Sequence, residues 1–576
     1  MLRLFTPICL VLVGLLAPTA AEEPKPQVRF DVVIAGGSTA AFAAAIASAE
    51  SGARTALIEP TDWVGGQITS SGVPAIDEAW HKIVDPKTGA VLLDVARNAR
   101  DRANMTPNFR AMLDATGNPG QGWVSNYCFE PIDFLTKHLL PAEQRLAGKL
   151  VVFRETVIKS VDVDSKAGLI RSITAIRRTP GPALSARGYD LLPSKDLADW
   201  YSPRDSARFT KETLIFPIEV ADGHRTVFVD ATEWGEVLAL ADAPYLIGFE
   251  TEDGGLTGDD TCGQATVFGF AQRLNAAPTD EPKAHATGVE GLGFGAYKTK
   301  PDAWDLIWRY RRLKGNGPKA TVGDISLQNW GYSGRDHEGG NDYPMGYLFK
   351  TKAATSAERD DWQGGLNLEV MAAAETRALA WHDWFRDHPP KEFQPGQVTL
   401  DGAVFGTGHG LAKLPYIRDT RRSIGLDKYV LKFADISGPA SRRTGKRFED
   451  RIALGAYPAD IHPVGGCKFP SYITSAHETL PFCIPFRALT NESYGNLLVA
   501  GKTMAQGFLT NAATRLHPIE WSSGTAAGVA AADMALYGRS SREELSEIAE
   551  LQKRIKAMTP IDWTIDGQLL NDSEGL

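Results

Sequence analysis

The stretch Phe30–Pro60, "FDVVIAGGSTAAFAAAIASAESGARTALIEP", reads as strand, turn, helix and second strand. Asp31 to Ala35 is a short apolar run of the kind buried in a parallel sheet, Gly36 and Gly37 make the turn, and Ala40 to Ser48 has helix-forming composition. The dinucleotide pattern G-x-G-x-x-G falls on Gly36, Ser38 and Ala41. Gly36 supplies the tight turn and Ala41 a small residue where helix meets strand. Ser38 is the departure, because a side chain there crowds an approaching pyrophosphate, although its hydroxyl can donate to a phosphate oxygen. The second strand ends in Glu59, and 59 − 36 = 23 residues separate it from the first glycine. That is close to the roughly 20-residue spacing at which an acidic side chain meets the ribose hydroxyls. The expected dinucleotide site is therefore Gly36, Gly37, Ser38, Thr39 and Ala40 with Glu59.

The rest of the chain fits a multi-domain globular protein. It has 576 residues, 43% of them hydrophobic, and a net charge of 61 − 70 = −9. No basic field is available to gather nucleic acid or anionic membrane. At the amino end, "MLRLFTPICLVLVGLLAPTAAEEP" places one Arg before an apolar run and then small residues, the pattern of a secretory signal over residues 1–21. A secreted or periplasmic protein is expected, with no membrane association once the signal is removed. An oxidising compartment permits disulfides, and Cys467 and Cys483, flanking a short loop-like stretch, are the expected pair if one forms. Neither a CxxC nor a paired-His motif appears, so no metal is expected.

Beyond Glu59, "PTDWVGGQITSSG" makes a second glycine turn at Gly65 and Gly66, followed by Gln67. The combination of "GGST", "GGQ" and the later "VFVDATEWGEVLALADAPY" resembles FAD-dependent oxidoreductases with a glutathione-reductase-type nucleotide fold, within them the secreted group also labelled xanthan lyase. In that group Thr or Ser commonly replaces the second glycine, so the resemblance makes Ser38 a family feature. It also implies that backbone at Thr156 and Val157 lies beside adenine and that Asp230 ends a strand near the cofactor. Glu233 stands where glycine is common there, which puts close approach in doubt. Towards the carboxyl end, "GNLLVAGKTMAQGFLTNAATRLHPIEWSSGTAAGVAAADMAL" gives a buried strand, Gly501, a loop and a small-residue helix beginning near Pro518. The resemblance implies that this strand closes the FAD sheet and that the helix directs its positive end at the flavin.

The expected fold is α/β: a Rossmann-like FAD-binding domain, discontinuous over residues 29–73, 149–241 and 494–538, with an inserted α+β substrate or cap domain over 74–148 and 242–493 and a C-terminal helical tail over 539–576. Pro180 to Pro203 reads as a surface insertion. Four stretches carry candidate chemistry and resemble stretches that recur in the family. "GGNDYPMGY" holds Asn341, Asp342 and Tyr343; "LPYIRDTRRSIG" holds Arg418, Arg421 and Arg422; "AYPADIHPVGG" holds Asp460 and His462; "TNAATRLHPIE" holds Asn511, Arg515 and His517. Asp460 and His462 share a face if extended, which suits a carboxylate orienting an imidazole.

The expected activity is oxidation of a small CH–OH or CH–NH donor, carboxylate-bearing substrates among them, by hydride transfer to flavin N5, with oxygen or a carrier as the acceptor. His462 or His517 is the expected base, and Arg421, Arg422 or Arg515 the anchor for an acidic group. A redox-silent flavin-fold binding protein and a polysaccharide lyase are the alternatives. Arg515, His517, His462 and at least one of Arg421 and Arg422 are expected to border one cavity.

Overall fold

A computed structural model describes residues 27–569 except 79–81, 85–90, 95–100, 183, 185–188, 222, 251–258, 281–302, 330–339, 440–441, 474–475 and 566–567. The signal segment expected over 1–21 lies outside the described residues. Along the chain run β1 (Val32–Ala35), α1 (Thr39–Glu50), β2 (Thr55–Ile58), β3 (Leu150–Phe153), β4 (Thr156–Asp164), β5 (Leu169–Pro180), β6 (Phe209–Pro217) and β7 (Val227–Asp230). There follow β8 (Phe270–Leu274), β9 (Arg311–Lys314), β10 (Ile325–Gln328), α2 (Leu368–Asp387), β11 (Val398–Leu400), β12 (Leu497–Val499) and α3 (His517–Tyr537).

The central sheet has the order β12-β7-β1-β2-β3, with every neighbouring pair parallel. Its strands come from sequence segments hundreds of residues apart, so this domain is discontinuous and Rossmann-like, as expected. β1, β2, β7 and β12 are buried throughout, which is why they read as continuous apolar runs with no alternation. One face is covered by α1 and α3, and β4-β5-β6 form a separate antiparallel meander. The inserted region carries the four-stranded antiparallel sheet β9-β10-β8-β11 and the 20-residue helix α2.

α1 and α3 are small-residue helices because their backbones touch. A Cβ added at Gly524 would fall 2.3 Å from Ala40 O, and one at Gly528 would fall 2.2 Å from Ala44 O. The i, i+4 spacing of both pairs keeps the contact on one stripe of each helix. Without these glycines α3 would be pushed off α1, and the residues at its N-terminal end would leave the site described below.

Two expectations change. The disulfide joins Cys467 to Cys262, with Cα atoms 5.7 Å apart, and not to Cys483. Backbone pairing explains it: Val464 N donates to Gly263 O and Ala265 N to His462 O, bringing the two segments side by side, while Cys483 is buried in the strand Phe482–Pro485. Nor is Pro180 to Pro203 simply a surface insertion. Its second half forms a helix, Pro193–Tyr201, that buries Trp200 and Tyr201 and fixes Ser194 to Glu375 of α2. The residues after 539 form two short helices, Ser541–Ser546 and Ile548–Lys556, and a small hairpin, Thr564–Ile565 with Gln568–Leu569. Among the described residues no helix is long and apolar enough to cross a membrane.

Candidate active site

The first glycine turn ends β1 and opens α1. Ser38 is the N-cap of α1: its Oγ accepts from Ala41 N at 3.0 Å and donates to Ala231 O at 2.6 Å. The hydroxyl proton is thereby committed inward, so the serine offers a phosphate its backbone N–H and not the hydroxyl expected from the sequence. The first N–H groups of α1 have no intrahelical acceptor and form the anion-binding end of the helix. Thr39 Oγ1 donates to Gly65 O at 2.7 Å, tying the first turn to the second. The two turns are in contact at Gly66, whose φ is +57° and where a Cβ would fall 2.6 Å from Ser38 Cα and Thr39 N. Only glycine satisfies both the left-handed backbone and that approach.

Glu59 follows β2 and is 1% exposed. Thr61 N and Thr61 Oγ1 both lie 3.0 Å from its Oε1, while among the described residues Oε2 has no partner. Burial pushes this carboxyl up to about 8, against the Thr61 hydrogen bonds and the Arg154 charge that hold it down. Thr156 N donates to Glu59 O at 2.9 Å, so the start of β4, with Val157 buried beside it, lies against the acid. A buried carboxylate with an open oxygen at a strand end suits a ribose diol. If the diol donates to ionised Glu59, binding releases the proton that the empty site holds below about pH 8. FAD affinity is then expected to rise with pH from 6 to 8, by at most about tenfold per unit, and to be flat in Glu59→Gln; titration of apoprotein with FAD at several pH values checks this.

The second turn leads to the return strand. Gln67 is fully buried, and its Nε2 donates to Arg515 O at 3.0 Å and to Glu520 Oε2 at 3.2 Å. Gln67 Oε1, Ser71 Oγ, Thr510 Oγ1 and Arg515 Nε are buried with no hydrogen-bond partner among the described residues. Unpaired buried polar atoms are costly, and four of them mark where a polar ring system belongs: two follow the second glycine turn, and two lie on a short helix, Phe508–Thr514, and its C-cap Arg515, where the sequence reads as a loop. The residues present therefore fit FAD: the glycine turns for pyrophosphate, Glu59 for ribose, Gln67, Ser71, Thr510 and Arg515 for the ring.

Beside them lies a buried ion triad that sequence reasoning missed. Lys502 Nζ is 2.9 Å from Glu233 Oε2 and 2.8 Å from Glu520 Oε1. All three side chains are at most 2% exposed. Burial opposes the charge on Lys502, but the two glutamates outweigh it and hold its pKa above the ordinary lysine value. Burial raises Glu520 to about 7 despite Lys502. Glu233, at the position where glycine is common, is thus the counterion of a lysine from the far end of the chain. The legible signal was Lys502 itself, a lone cation straight after a buried strand and Gly501, in a turn where a Cβ at Gly501 would meet Ala40 Cβ at 2.8 Å.

A second network crosses from the inserted region. His462 Nδ1 is 2.7 Å from Asp342 Oδ2 and its Nε2 is 3.1 Å from Asp460 Oδ2. Arg418 donates to Asp342 Oδ1 at 2.8 Å. Burial would raise Asp342, yet Arg418 and His462 hold it below the usual carboxylate range; Asp460 is likewise held low by His462 and Arg515 against burial. The Asp460 side chain is 41% exposed and so is the open end of this network. Arg515 joins it to the return loop, donating to Asp460 O at 3.0 Å and to Tyr416 Oη at 2.5 Å. Asn511 Nδ2 donates to Arg418 O at 2.8 Å.

The structure thus brings Arg515, Asp460, His462, Asp342, Arg418 and Asn511 together. The other candidates are turned elsewhere. His517 Nδ1 accepts from Asp77 N at 3.2 Å and its Nε2 donates to Val73 O at 2.9 Å, so both ring nitrogens are taken by backbone, and burial drops its pKa to about 4. It locks the start of α3 as a neutral imidazole. Arg421 donates to Trp234 O at 2.6 Å and Gly365 O at 2.8 Å, and Arg422 to Gln506 O at 3.1 Å and Gly248 O at 2.7 Å. Both guanidiniums tie loops together through carbonyls. Asp230 accepts from Thr232 N at 3.1 Å and Leu238 N at 3.0 Å, capping the segment after β7. Asn341 Nδ2 donates to Phe268 O at 2.6 Å, and Tyr343 is part of the short strand that pairs with Thr266–Val267.

The family model described as FAD dependent oxidoreductase matches residues 31–188 and 224–555. No curated protein matches the chain. Among solved structures, E. coli quinol fumarate reductase FrdA is 12% identical over 94% of this chain and 76% of its own, with a TM-score of 0.30. The p-nitrophenol 4-monooxygenase PnpA from Pseudomonas putida DLL-E4 is 11% identical over 93% and 87%, with a TM-score of 0.29. The match to L-proline dehydrogenase from P. horikoshii, 14% identical with a TM-score of 0.15, spans 40% of this chain and 26% of that one.

Proposed function

From a chain that belongs to the FAD dependent oxidoreductase family, we propose a secreted enzyme that oxidises a small organic CH–OH or CH–NH donor at the boundary between the FAD-binding domain and the inserted region. The observation that carries this is the meeting of two sets of residues at Arg515: Gln67, which donates to its carbonyl and keeps an unpartnered Oε1, on the cofactor side, and Asp460 with His462 on the other. When bound, FAD would supply the redox chemistry as a two-electron acceptor for a hydride equivalent of the donor.

The protein's own residues do the rest. Gly36, Gly37 and the first N–H groups of α1 neutralise the pyrophosphate, and Glu59 fixes the adenosine end. Arg515, placed between the cofactor turn and Asp460, orients an electron-rich group of the donor; a carboxylate is the natural partner for a guanidinium. Asp460, the exposed end of the network, accepts a hydrogen bond from the donor's hydroxyl or amine and orients it, so that the departing proton passes to solvent on that open side, while His462, held between Asp342 and Asp460, and Arg418 fix it from behind. The apolar run after Arg3 and the small residues that follow it support secretion. Oxygen or a carrier then serves as electron acceptor.

Anaerobic addition of hydroxy acids, amino acids and sugar acids to the FAD-loaded protein tests this. Bleaching of the flavin absorption is expected with at least one class. Cleavage of a polysaccharide with unsaturated products and no bleaching would replace the proposal with a lyase. Binding without either would leave a redox-silent binding protein.

A further inference from the structure

The loop that presents Glu59 is held from outside the parallel sheet. Thr61 bonds the Glu59 carboxylate, and Asp62 and Trp63 follow directly. Lys413, from the inserted region, reaches this loop with a fully buried side chain: Nζ is 3.0 Å from Asp62 Oδ1, 4.6 Å from the Trp63 ring centroid and 3.8 Å from that of Tyr189. Tyr189 closes the arrangement. Its hydroxyl accepts from Asp62 N at 3.1 Å and donates to Glu155 Oε1 at 2.8 Å, and Glu155 N in turn donates to Thr61 O at 3.1 Å. On its other side the loop borders an open groove of about 570 Å³ lined by Trp63, Leu135, Leu140, Glu143 and Arg154. The Asp62–Trp63 loop therefore has open space on one side and Lys413 on the other.

We propose that Lys413 is a positioning residue for cofactor retention: it latches the inserted region onto the Thr61–Trp63 loop and thereby sets how fast FAD leaves. This rests on the reading of Glu59 as the ribose-binding acid. A cation between two aromatic faces and paired with a carboxylate is a strong local contact, and its loss frees the loop with none of the Glu59 hydrogen bonds removed. The fold provides no other side-chain ion pair to Asp62 among the described residues.

The test is the rate at which FAD is lost after dilution of the loaded full-length protein, followed by desalting at timed intervals, beside thermal midpoints of the apoprotein and the loaded protein. Lys413→Met, which keeps the stem against the rings, is expected to release FAD at least about tenfold faster, a change of about 1.4 kcal/mol, with an apoprotein midpoint close to that of the native chain. Lys413→Arg should restore slow release, since guanidinium stacks on aromatic faces and pairs with a carboxylate. Asp62→Asn, on a partly exposed side chain, should accelerate release and add little when combined with Lys413→Met. Native release rates in both Lys413→Met and Asp62→Asn would overturn the latch, as would a fall in the apoprotein midpoint with release unchanged. Glu59→Ala separates the two layers: unchanged FAD affinity in that variant would overturn the ribose assignment and the latch with it, whereas weakened affinity beside native release in Lys413→Met would overturn the latch alone.

Discussion

Lys502→Met is expected to destabilise the apoprotein by about 3–5 kcal/mol at pH 8, because it leaves the buried Glu233 and Glu520 without the cation they share. The effect should shrink on acidification. A carboxyl whose folded pKa is raised, as burial raises both of these, resists ionisation in the folded state while the unfolded chain ionises freely near 4.5. Its contribution to stability is therefore lost as pH rises through the folded pKa, about 7 for Glu520 in the native protein and higher without Lys502. Chemical denaturation at pH 5 and pH 8 measures the difference directly. The triple change Lys502→Met, Glu233→Gln, Glu520→Gln should recover much of the loss at pH 8, since it removes the unpaired charges along with the cation. Equal destabilisation at both pH values would mean that the lysine acts through packing alone.

Arg515→Met should slow substrate-driven flavin reduction by roughly 10²–10³, the usual consequence of removing one oriented donor from a polar site, with FAD retained. The basis is position. Arg515 O accepts from Gln67 and its guanidinium bridges Tyr416 and Asp460, so one residue faces both the cofactor turn and the Asp460–His462 pair. Arg515→Lys keeps the charge but loses the fork, and an intermediate rate is expected. Rapid mixing under anaerobic conditions gives the rate, and absorbance gives the flavin content. A large loss of FAD in both variants would assign Arg515 to cofactor binding instead.

Local pattern made the fold legible. The apolar run before Gly36, the small-residue helix after it, Glu59 at the second strand end and the matching strand and helix near Pro518 all lie in continuous stretches, and the structure assembles them into one parallel sheet under α1 and α3. Which residues belong to the site was legible in part, but a contact between them only where they sit close in the chain. Asp460 and His462 are two positions apart and share a face, and they meet at 3.1 Å. The Glu233–Lys502–Glu520 triad joins residues from the turns that follow β7 and β12 and from α3, and no spacing in the chain announces such a meeting. Adjacent arginines look alike in sequence, yet Arg421 and Arg422 are both consumed by carbonyls of loops that fold over them. His517 reads as a base because it stands beside Arg515, but the backbone of residues 73–77 closes on both of its nitrogens. The disulfide depends in the same way on strand pairing that places Cys262 beside Cys467 across a separation of 205 residues.

The most direct measurement is a crystal structure of the FAD-loaded protein. The expected result has the adenosine ribose hydroxyls on Glu59, the pyrophosphate over Gly36–Ala40, and the ring bordered by Gln67, Ser71 and Arg515, with Asp460 and His462 across the substrate space from it. A dinucleotide bound with its ribose away from Glu59, or a ring remote from Arg515 and His462, would contradict the account.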